Sequence, residues 1–163
     1  LQKLGTEHNY TDVLIESLEK KVSVITKIID INKDLKMTLE ESKFDVDKFN
    51  DYIDAKEKLI LELNKLDDGF VAVYERVAEI LKAGNGEYKD QILRLKTLIK
   101  EVTDKTATLE TGEKRLNDTF NKVSRNIRKE IGDSRKTNKI LSGYRTNMSG
   151  LNVVEPQFVD KKK

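Results

Sequence analysis

Apolar residues recur along most of this chain at a step averaging three and a half positions. From residue 88 the sequence moves by fours and threes through Tyr88, Ile92, Leu95, Ile99, Val102, Thr106, Leu109, Glu113, Leu116, Phe120, Val123 and Ile127. That spacing lays all of them on one stripe of an α-helix, able to sink into a left-handed bundle or coiled coil. The same beat continues through Glu130, Ser134, Thr137, Leu141, Tyr144 and Met148. It predicts a single helix over 87–148, about 90 Å long at ~1.5 Å per residue. The stripe is dense up to Ile127, polar over 130–137, then apolar again at Leu141, Tyr144 and Met148.

Two shorter periodic segments precede it. The first predicts a helix over 10–42, with Asn9 or Thr11 as N-cap and Leu14, Leu18, Ile25, Ile28, Leu35 and Leu39 on one face. Residues 1–9 read as a frayed start. The face is interrupted at Lys21 and Asn32, and Asn32 is read as the wet edge of the stripe in preference to a register-fixing polar residue inside it. A tight link follows at 42–47, with Ser42 or Asp45 as cap. The second helix, 46–82, presents Val46, Phe49, Ile53, Ile60, Leu63, Leu66, Phe70, Val73, Val77 and Ile80. The short step from Leu63 to Leu66 is a stammer, and Gly69 just beyond it is read as a close helix–helix approach in narrow preference to an exposed, tolerated glycine. Ala83-Gly84-Asn85-Gly86 is the clearest break in the chain. A link so short makes the second and third helices antiparallel neighbours.

The fold expected is therefore all-α: an antiparallel three-helix bundle or coiled coil with a long C-terminal helix. One helical domain occupies 1–150, and a flexible tail containing Pro156 and Phe158 occupies 151–163. Counting back along the second helix shows that it can cover the third only to about Arg125. Beyond that point Ile127, Ile131, Ile140, Leu141, Tyr144 and Met148 offer too much apolar surface for a purely solvated helix. Three outcomes stay open: the segment folds back at Gly132-Asp133, it forms a homodimer, or it receives another protein.

Composition narrows the chemistry. The 163 residues are 37% charged and 37% hydrophobic, with one proline, no tryptophan and no cysteine, a balance that favours long solvated helices. Disulfides and thiolate metal sites are excluded, which fits a reducing cytoplasm. No apolar run approaches the roughly 20 residues that span a bilayer, and the first residues lack the apolar core of a signal peptide. The chain does not begin with methionine, so its first residue need not be the native start. The net charge of +2 hides an asymmetry. Over 114–145 the bases, among them Arg125, Arg128, Arg135 and Lys139, face only Asp118, Glu130 and Asp133 as acids, whereas acids dominate 40–90.

No catalytic constellation emerges. The one histidine is His8, too little for a triad or a histidine metal cluster. Gly84 and Gly86 lead into no phosphate-binding loop. Glu40/Glu41 and Asp67/Asp68 are adjacent in sequence and diverge by about 100° on a helix, as solvated faces do. The expectation is a protein that is not an enzyme and needs no cofactor or metal.

The segment Phe49-Asn50-Asp51-Tyr52-Ile53-Asp54-Ala55-Lys56-Glu57-Lys58-Leu59-Ile60-Leu61-Glu62-Leu63-Asn64-Lys65-Leu66-Asp67-Asp68-Gly69-Phe70 resembles the FlgN-type flagellar export chaperones. In that family a Glu-Lys-rich, leucine-rich helix precedes a short turn and a long final helix, and the likeness covers roughly 12–148. The resemblance implies a cytoplasmic chaperone that binds the helical C-terminal segments of hook-filament junction proteins, keeps them from assembling early, and delivers them to the type III export apparatus. It also implies that the C-terminal helical region holds the cargo and that a tyrosine there docks on an export-gate component; by position that tyrosine is Tyr144.

The residues themselves suggest the same mode of action. An amphipathic cargo helix would lie along the distal stripe, on Ile127, Ile131, Ile140, Leu141, Tyr144 and Met148, with Arg128 and Arg135 orienting acidic cargo. Phe120 and Val123, next to that stripe, are read as bundle core. Two rival readings accompany this one. A coiled-coil scaffold would dimerise through the third helix. Nucleic-acid binding through 114–145 is weaker, because the bases surround the helix and few aromatic residues interleave them.

Overall fold

Among the residues that the computed structural model describes, 2–83 and 88–131, all regular structure is helical. Three helices follow in order: α1 (Gln2–Glu40), α2 (Val46–Ala83) and α3 (Lys89–Ile131). Side chains are described within 10–126. The break at 84–87, the distal segment from 132 onward and the tail 151–163 lie outside the described residues.

The all-α expectation holds, and α1 corrects one boundary. It starts at Gln2, not at Tyr10, and spans 39 residues against 38 for α2. Gly5 is the poorest helix former in its first turns, and one glycine costs only about 1 kcal/mol against alanine. A long helix already anchored downstream absorbs that. The link to α2 is short and capped. Asp45 accepts a hydrogen bond from the backbone N–H of Lys48 at 3.1 Å, satisfying one of the donors that a helix start leaves open. The ring of Phe44 then tilts against Phe49, centroids 5.4 Å apart.

Cross-helix pairs fix how the helices run. Arg76 on α2 donates to the Tyr10 hydroxyl on α1 at 2.6 Å, and Lys21 pairs with Asp67. Ascending α1 thus descends α2, so α2 runs back along α1. Between α1 and α3 the numbers rise together: Glu19 meets Arg94 at 3.2 Å, and Asn32 meets Glu113 at 2.8 Å. α3 therefore runs in the direction of α1.

Backbone proximity distributes unevenly among these pairs. α1 approaches both other helices closely, whereas α2 and α3 meet chiefly through side chains. The sequence reading made α2 the main partner of α3 because the two are joined by a short link; α1, being as long as α2, takes that place instead.

The interior has two apolar blocks. In the larger, Leu14, Leu18, Ile25 and Ile28 of α1 pack with Ile60, Leu63, Phe70 and Val77 of α2 and with Leu95, Leu98, Val102 and Leu109 of α3. In the smaller, Leu35 and Leu39 pack with Phe49 and Ile53 and with Leu116 and Phe120. Nearly every position that the three-and-a-half beat marks within the described side chains is buried or half-buried. Gly69 does not mark a close approach: it is exposed, and a Cβ placed on it would touch nothing within 4 Å.

Candidate functional site

Between the two apolar blocks lies a layer built from one polar side chain of each helix. Asn32 of α1 donates from Nδ2 to Glu113 Oε1 at 2.8 Å, and Lys56 Nζ of α2 sits 2.6 Å from the same oxygen. Asn32 is 5% exposed and the Lys56 side chain 0%. Burial pushes the Lys56 ammonium below its ordinary pKa, and the charge and hydrogen bond of Glu113 oppose that shift. Among the described residues neither Asn32 Oδ1 nor Glu113 Oε2 has a hydrogen-bond partner.

Asn32 is thus inside the seam, correcting its reading as a wet-edge residue. An asparagine amide cannot enter the interior unless another polar group meets it, and Glu113, which occupies a stripe position of α3, provides that group. Lys21, the other interruption of the α1 face, behaves alike. Its side chain is 3% exposed, pairs with Asp67 and lies 5.8 Å from the centre of the Phe70 ring. Lys56 escaped sequence reasoning. The signal was present as a skipped position, because the α2 stripe steps seven residues from Ile53 to Ile60.

The far end of the smaller block decides what α3 has left over. Phe49 stacks on Phe120, with ring centroids 6.3 Å apart and planes 15° off parallel. Val123 packs on the same cluster beside Phe44. Phe120 is 3% exposed and belongs to the core, as read. Carrying the Lys56–Glu113 and Phe49–Phe120 register forward sets the start of α2 against residue 123. The Asn32–Glu113 register likewise ends α1 near residue 121. α3 continues as helix to Ile131, about two turns or roughly 12 Å past both partners.

Of the eight residues predicted to bind a partner, Ile127, Arg128 and Ile131 lie on this projecting part of α3, where the structure describes the backbone alone. Arg135, Ile140, Leu141, Tyr144 and Met148 lie outside the described residues. Among the described residues no group of histidine and carboxylate side chains could hold a metal ion. No described helix is long and apolar enough to cross a membrane.

A second feature was not foreseen from the sequence. An open cleft of about 440 Å³ runs between α1 and α3. One wall carries Ile29, Asn32, Lys33 and Lys36; the other carries Ala107, Thr108, Thr111, Gly112 and Arg115, with Leu109 also lining it. Small residues on α3 leave the room. Its signal in the sequence was the set of small side chains at Ala107, Thr108, Thr111 and Gly112, which lie off the apolar beat.

Comparison with known proteins adds no name to this geometry: no family model, curated protein or solved structure matches the chain.

Proposed function

We propose that this protein is a helix-binding chaperone of the flagellar export type, holding the helical C-terminal segment of a hook-filament junction protein on the distal part of α3. The observation that carries this reading is the overhang of α3, whose helix runs on to Ile131, about two turns beyond the points where the cross-helix register ends α1 and begins α2. Ile127 and Ile131 belong to that overhang, and the sequence beyond it returns, after a polar interval, to apolar residues at Ile140, Leu141, Tyr144 and Met148. A helix with an apolar stripe and no partner in its own chain is what a helix-in-groove complex requires. Arg128 and Arg135 beside that stripe would select acidic cargo by charge. The flagellar assignment rests on the resemblance of 49–70 and on the order of the three helices. A cytoplasmic location and delivery to an export-gate component through Tyr144 follow from that resemblance.

The test is co-expression with hook-filament junction proteins of the same genome. A junction protein should co-purify with the wild-type chain and be lost from a Leu141→Asp/Tyr144→Asp variant whose helicity and melting are nearly unchanged. Retained cargo in that variant would remove the distal segment from the site.

The same projecting helix supports one other reading, a scaffold that dimerises through α3, since a second copy could bury the identical stripe. Light scattering separates the two. A concentration-independent dimer that ignores junction-protein peptides favours the scaffold, and a monomer that binds them favours the chaperone.

A further inference from the structure

We infer that the cleft between α1 and α3 is a second docking groove, and that its occupant is an acidic amphipathic helix of a partner protein. The site is separate from the distal surface of α3 and does not depend on it.

The shape of the walls comes first. On α1 the lining positions Ile29, Asn32, Lys33 and Lys36 fall at helical spacing of three, four and seven. On α3, Ala107, Thr108, Thr111, Gly112 and Arg115 fall at one, four, five and eight. Each set is one face of its helix, and the two helices run in the same direction. Two such faces form a straight trough about two to three turns long, the form that receives a helix. Ala107, Thr108, Thr111 and Gly112 keep the α3 wall low. A Cβ built on Gly112 would meet nothing within 4 Å, so an incoming backbone can come close there.

Chemistry then narrows the occupant. Asn32 is 5% exposed and lines the trough, and with its amide nitrogen engaged by Glu113 its Oδ1 is left without a partner. That oxygen is closed to solvent by the protein itself, so the occupant is selected by the exposed lining groups. Ile29 and Leu109 give the incoming helix apolar contact. Lys33, Lys36 and Arg115 supply three cations, and no carboxylate residue is among the lining positions. Lys36 also reaches Glu40, at 3.6 Å, along its own helix, an exposed pair that contributes little. A helix whose apolar stripe is flanked by Asp or Glu matches the trough in shape and charge.

The probe is a fluorescein-labelled 20-residue helical peptide, with leucine and alanine on one face and glutamate at the flanks, titrated with the full chain by anisotropy. A control peptide carries lysine in place of each glutamate. The glutamate peptide is expected to bind, more weakly as salt rises, and the lysine peptide to bind at least about tenfold more weakly. Lys33→Glu with Arg115→Glu should weaken the glutamate peptide by about tenfold or more, and Thr108→Trp, at an exposed lining position, should block it by bulk, both without loss of helicity or melting temperature. Leu141→Asp/Tyr144→Asp, which tests the distal surface, should leave this binding unchanged. The inference is overturned if the two peptides bind alike, if neither binds, or if binding survives both groove changes or is lost only with the distal pair.

Discussion

Lys56 and Glu113 make the sharpest demands on this fold. A buried ion pair is expensive to break because the survivor keeps its charge in the interior, yet it often gives no advantage over an apolar pair of similar size. Glu113→Leu alone should therefore cost about 3–5 kcal/mol, while Lys56→Met, Glu113→Leu and Asn32→Leu together, which clear the layer of polar groups, should be neutral or stabilising by about 1–4 kcal/mol, both read from urea midpoints. The pH response follows from the lowered Lys56 pKa. Between that lowered value and 10.5 the unfolded chain holds more protons than the native one, so this site adds stability as pH rises through the window. Measured at pH 7 and pH 10, wild type should gain on the variant that lacks Lys56, Glu113 and Asn32 together, whose layer holds no titrating group; a constant difference would contradict the shift. The layer was half legible in the sequence. Asn32 and Lys21 were visible as interruptions, but whether an interruption faces water or a partner depends on what the other helices bring opposite, and Glu113 is 81 residues away from Asn32 in the chain.

At the scale of the element, helix existence and apolar faces were readable because periodicity is a local property. Leu14, Leu18, Ile25, Ile28, Leu35 and Leu39, all assigned to the core of α1, are all buried. Asp45 was one of two proposed caps and is the one that bonds; Asp45→Ala should cost about 1 kcal/mol. Gly69 was misread, since a glycine in a helix reports no contact by itself, only the absence of a side chain. Being exposed with open space around it, it should accept alanine with a gain of about 1 kcal/mol, or a rise in melting temperature of roughly 2–4 °C for a chain of this size. A drop on Gly69→Ala would restore the close approach.

For the whole molecule, the aromatic end of the bundle is where the fold stops and the projecting helix begins. Phe49→Ala, which removes the ring stacked on Phe120, should cost about 3–5 kcal/mol in calorimetry or denaturant unfolding. Distal changes at Leu141 and Tyr144 should barely move either measurement. The sequence by itself determined three amphipathic helices, their apolar faces, the lack of sulfur chemistry and an excess of α3 over its partners, because each is set by spacing or residue type along one segment. Only the tertiary structure decided that α1 is the shared neighbour, that three interrupted stripes meet in one polar layer, and that α1 and α3 leave a trough between them. Those are relations among residues far apart in the chain, fixed when side chains from different helices must fill one interior and satisfy one another there. The long helix of the sequence is described in its proximal stretch, which to about residue 123 serves the core and one wall of the trough, and continues as helical backbone to Ile131.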